Sequence, residues 1–90
     1  MITVKQISNK TFEVIVASKV TTIHKVTVPK AYYEKLTNNK VTPELLVERS
    51  FEFLLEREPN TSILRTFELS VIGRYFPEYE TTILKKLKNA

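Results

Sequence analysis

Three groups of residues in this chain of 90 carry side chains able to do chemistry. The first is His24, the single histidine and the one side chain that titrates near neutrality without help from its surroundings. An imidazole can be a base or a metal ligand. His24, however, stands in strand spacing with Val26 and Val28, and the register reads as a half-buried sheet histidine satisfied by a hydrogen bond. The second group is Glu48, Glu52 and Glu56. Paired carboxylates do acid/base work when their environments differ; at i, i+4 on one helix face they form a solvated ridge. The third is Arg74-Tyr75-Phe76-Pro77-Glu78-Tyr79, three aromatics and an arginine within six residues. That composition suits an interface hot spot or a platform on which bases stack, and it equally suits rings that cover the domain's own core. Arg74, Tyr75, Phe76 and Tyr79 are the candidate partner-binding residues.

Most catalytic templates fail for lack of parts. Gly73 is the one glycine, whereas a P-loop or a dinucleotide-binding turn needs several for close backbone approach to phosphate. There is no cysteine, and all ten acids are glutamate. With one histidine, that leaves neither a zinc set nor a Ser–His–Asp triad. No metal, no cofactor and no enzymatic activity are expected. The net charge of +4 is unevenly spread: residues 1–40 hold seven lysines against two glutamates, residues 41–80 hold four arginines against eight glutamates, and Lys85, Lys86 and Lys88 close the chain. A basic front, an acidic middle and a basic tail imply surfaces of opposite sign able to steer a charged partner.

The elements that must position these groups are legible from periodicity. Residues 1–28 alternate at period two, with β-branched residues between the turns Ser8-Asn9-Lys10 and Ser18-Lys19. Three short strands, about Ile2 to Ile7, Thr11 to Ala17 and Thr22 to Val28, make an antiparallel meander. Phe12, Val14 and Val16 share one face, as do His24, Val26 and Val28. Pro29 opens a short helix from about Lys30 to Thr37, ended by the left-handed-tolerant pair Asn38-Asn39. Thr42 is the predicted N-cap of a second helix from Pro43 to about Arg57. Its apolar stripe is Leu46, Val47, Ser50, Phe51, Leu54 and Leu55.

Beyond Pro59, Thr61 or Ser62 is read as capping a helix through Phe67, and Ser70 as capping another from Val71 to Phe76. A last helix from near Pro77 puts Ile83, Leu84 and Leu87 on one face. The fold class expected is α+β: an N-terminal three-stranded antiparallel meander followed by three to five helices, in one layer on the sheet. Residues 1–90 form a single domain, with strands in 1–28, a helix-turn-helix pair in 29–58 and a C-terminal helical segment in 59–90. No apolar run approaches the ~18 residues that span a bilayer. The opening residues lack a secretory h-region, so a cytoplasmic location and no membrane partner are expected.

The stretch His24-Lys25-Val26-Thr27-Val28-Pro29, followed by a helix, a turn and Thr42-Pro43-Glu44-Leu45-Leu46-Val47, resembles a ribbon–helix–helix module over about residues 22–57. The family includes the methionine and Arc repressors and many antitoxins. The resemblance implies a homodimer in which one strand pairs with its copy and the ribbon enters the major groove of duplex DNA. By register the outward positions are Ile23, Lys25 and Thr27, and the nucleic-acid-binding residues implied are Lys25, Thr27 and the helix cap Thr42, the last on phosphate. Residues 62–67 and 72–79 are also similar to short prokaryotic proteins, which implies no function. Two functions stay open: a small regulatory module, antitoxin-like and DNA-binding as a dimer, or a protein–protein interaction module with no nucleic-acid role that uses the C-terminal third.

Overall fold

The computed structural model describes residues 1–88. Strands β1 (Ile2–Gln6), β2 (Thr11–Val16) and β3 (Thr22–Thr27) form the expected antiparallel meander, and β4 (Thr66–Glu68) adds to β3 in parallel, giving the order β1-β2-β3-β4. The sheet is therefore four-stranded and mixed. Residues 59–88 are correspondingly not purely helical. Where a helix from Thr61 or Ser62 through Phe67 was expected, a 3-10 turn (Asn60–Ser62) leads into β4.

The reason lies in β3. Its even residues bond to β2, which leaves the N–H and C=O groups of Ile23, Lys25 and Thr27 aimed at the other side. Lys25 N–H donates to Arg65 C=O at 2.7 Å. A parallel neighbour needs a long crossover, and helices α1 (Lys30–Thr37) and α2 (Pro43–Leu55) supply it. A three-residue strand carries too little alternation to be seen in sequence.

The pleat sorts the side chains as the alternation predicts. Phe12, Val14, Val16, Thr22, His24 and Val26 are buried under one layer of helices, while Lys5, Ile23 and Lys25 lie on the open face. Thr42 caps α2, its Oγ1 accepting from Leu45 N–H at 3.1 Å, with Pro43 in the first turn. Asn38 ends α1 in the left-handed region at φ 53°, a conformation that asparagine tolerates.

The face of α2 is broader than its expected stripe. Phe53 is also fully buried, because helix α4 (Tyr79–Lys88) packs on the flank the stripe had left to solvent. The Phe53 ring meets Tyr79 edge-on at 5.3 Å and Phe76 at 5.8 Å. The segment 71–76 is split: a 3-10 turn (Leu69–Val71) precedes a four-residue helix, α3 (Ile72–Tyr75). On α4 the buried stripe is Tyr79, Ile83 and Leu87, one residue every turn. Leu84, expected beside them, is 42% exposed, because contact with α2 follows a narrow i, i+4 seam. No helix among the described residues is long and apolar enough to cross a membrane.

Candidate functional site

His24 is fully buried rather than half-buried, and both ring nitrogens are engaged. Nδ1 lies 2.7 Å from the Leu64 carbonyl, which can only accept, so Nδ1 carries the proton. Nε2 then accepts from the Thr22 hydroxyl at 2.8 Å. Thr22 Oγ1 in turn accepts from Asn60 Nδ2 at 2.9 Å, and the same amide donates to the Val20 carbonyl at 2.8 Å. This is a directed chain, Asn60 to Thr22 to His24 to Leu64. It ties the loop 60–64 to β3 and to the β2–β3 turn. Burial, opposed by the Leu64 hydrogen bond, holds the imidazole below its ordinary pKa of 6.5. The histidine is a neutral strut, walled off from any substrate.

The six-residue aromatic segment does not act as one surface. Tyr79 is wholly inside, its phenol donating to Ser50 Oγ at 2.6 Å while Ser50 donates to the Leu46 carbonyl. Phe76 is partly buried against Phe53. Arg57, not Arg74, supplies the cation over an aromatic face, with its guanidinium carbon 3.6 Å from the Phe53 centroid and its Nε 3.1 Å from Glu78. Arg74 is exposed. Tyr75 is 66% exposed.

Tyr75 stands over an apolar cleft of about 310 Å³. The end of α2 contributes Leu54, the loop contributes Ile63 and Leu64, β4 contributes Phe67, and the following turns contribute Ile72 and Phe76. Leu64, 48% exposed, forms part of the same lining. Glu58 is the one charged side chain in the lining and makes no ion pair among the described residues. Of the candidate partner-binding residues, the structure brings Tyr75 and Phe76 to this cleft and sends Tyr79 to the core. Leu64, Phe67 and Glu58 were not singled out in the sequence, where no local signal marks them as neighbours. A second hollow, of about 490 Å³, lies between α1 and α4, lined by apolar residues including Leu36, Val41 and Leu84 together with Lys40, Lys85 and Lys88.

Lys25 and Thr27 lie on the open face of a strand that is hydrogen-bonded on both sides. The edge at which the ribbon–helix–helix family pairs its strand with a copy is occupied here by β4. Lys25 sits across from Glu13, which sits across from Lys5, so one row alternates in sign. The Thr42 hydroxyl is engaged as a cap.

The other displaced groups stay in their ordinary charge states. Burial, joined by Tyr79 and the Glu80 carboxylate 2.9 Å away, pushes the Tyr32 phenol up, and burial does the same to Tyr79. Hydrogen bonds from its own backbone and from Arg57 hold Glu78 below the usual carboxylate range. Among the described residues no three metal-ligating side chains of the His/Cys/Asp/Glu type come together. The arrangement can therefore grip an apolar group next to a positive one, through contact and charge. No family model matches the chain, and neither the curated proteins nor the solved structures give a match.

Proposed function

We propose that this chain is a protein-interaction module that takes an apolar anchor of a partner segment into the cleft beneath Tyr75. The observation that carries this reading is Tyr75 itself: 66% exposed over an apolar hollow whose wall includes the half-buried Phe76, while Tyr79 is spent on the interior. A large, rigid ring held at a hollow of about 310 Å³ is the kind of residue that dominates binding energy. The unpaired Glu58 on the same wall gives the partner its second feature, a lysine or arginine adjacent to the anchor.

Duplex DNA has less support, since Glu13 interrupts the lysine row and β4 lies along the edge of β3 that a copy of the strand would need. Selection from a displayed random-peptide library tests the proposal. The expected winners carry an aliphatic or aromatic residue next to a basic one. Tyr75→Ala weakens them at least about tenfold, and Glu58→Gln weakens them a few-fold and only at low salt. Peptides that bind the Tyr75→Ala protein as well as the parent overturn it.

A further inference from the structure

The sheet has two edges, and they are treated differently. β4 is three residues long and is followed at once by a turn, a short edge of the kind that resists pairing. β1 runs for five residues, Ile2–Gln6, with no proline, no bulge and one lysine. Its hydrogen-bonding phase follows from its ends. Met1 and Ala17 exchange both backbone bonds, at 3.0 and 2.9 Å, and Ile7 N–H donates to Thr11 C=O at 3.0 Å. Antiparallel ladders alternate, so Thr3 and Lys5 also bond inward to Ile15 and Glu13. Ile2, Val4 and Gln6 therefore present their N–H and C=O groups outward, and none of these finds a backbone partner among the described residues.

Those three outward residues are centred on Val4, which makes the edge complementary to itself. We infer that β1 is the contact between two copies of this chain, joined antiparallel about a twofold axis through Val4. In that register Val4 exchanges both bonds with its copy and Ile2 pairs with Gln6 of the other chain, about six backbone hydrogen bonds in all. Thr3 then faces Lys5 across the axis, and no like charges stand opposite each other. A shift of one pair toward the C-terminal end would set Lys5 against Lys5, and one toward the other end would set Thr3 against Thr3 and leave Gln6 without a partner in the strand. Ile2 and Val4, partly buried against the core in one chain, gain cover from the other. The cleft under Tyr75 borders β4, the strand at the opposite end of the sheet from β1, so the contact leaves both clefts open and does not depend on them.

The experiment is amide exchange and isotope-filtered NMR on the whole chain across a range of concentrations, alongside light scattering. The Val4 amide is expected to gain at least about tenfold protection as concentration rises, while Thr3 and Lys5 are protected throughout. A cross-chain Hα–Hα contact between Thr3 and Lys5 is expected in a mixed-label sample. Val4→Pro removes the N–H at the axis and leaves the bonds to β2 intact; it is expected to return the mass to that of a monomer with native dispersion of the spectrum. A mass that stays monomeric at all concentrations overturns the inference. So does a dimer whose Val4 amide exchanges as fast as an exposed loop. The exchange measurement needs no variant and decides the question whether or not Val4→Pro folds.

Discussion

His24 shows how a reactive side chain becomes a structural one. Its ring donates to Leu64 and accepts from Thr22, a pattern open to the neutral form alone. The folded-state pKa is lowered and the unfolded value is near 6.5, so the unfolded chain takes up the proton first as pH falls. The contribution to stability is complete above about pH 6.5 and declines below it, at up to about 1.4 kcal/mol per pH unit. Urea unfolding between about pH 7.5 and 5.5 checks this; His24→Gln, which cannot titrate, is expected to flatten the slope. Protonation falls on Nε2 and breaks the bond from Thr22, while the Nδ1–H bond to Leu64 survives. Tyr75 and Tyr79 make the complementary contrast. Tyr79→Ala is expected to cost about 3–5 kcal/mol, by removing a fully buried ring and the bond to Ser50. Tyr75→Ala is expected to stay within about 0.5 kcal/mol in the same thermal melts, as exposed positions do. A large loss at Tyr75 would place that ring in the fold rather than in recognition.

At the scale of elements, α2 was the most legible. Thr42, Pro43 and Glu44 announced its start and the 3.6 period its buried face, since caps and amphipathicity are local. Thr42→Ala is expected to lower stability by about 0.5–2 kcal/mol, by freeing the Leu45 N–H. In a titration of duplex DNA between about 50 and 200 mM salt, a module that binds protein shows no steep loss of affinity, whereas a phosphate-binding one must. Steep salt dependence that Lys25→Ala reduces would restore the nucleic-acid reading. Phe53 and β4 were missed for one reason. Each is placed by a partner far away in sequence, Tyr79 for the ring and β3 for the strand, and local periodicity holds no record of either.

The whole molecule puts its two outward features at opposite ends of the sheet, the β1 edge at one and the cleft bordering β4 at the other. Joined at β1, two copies form a continuous sheet with two clefts. Folding is then linked to association, and the melting temperature is expected to rise with protein concentration for the parent and to be independent of it for Val4→Pro. A melting temperature independent of concentration in both would remove the dimer from the account of stability.

Composition and spacing by themselves determined an α+β chain, a meander of three strands, two capped helices and the scarcity of catalytic parts, each a property of neighbouring residues. Spacing even placed His24 on the core face. Tertiary structure alone decided that this histidine is a sealed strut, that the aromatic segment divides into a buried Tyr79 and an exposed Tyr75, and that Glu58, Leu64 and Phe67 share one cleft with Tyr75. It also decided that β3, the strand that looked free to pair with a copy, is enclosed by β4, leaving β1 as the open edge. The physical reason is the same throughout. Burial and free edges are set by what packs against a residue from tens of positions away, and a pattern read along the chain carries only what lies within a few turns.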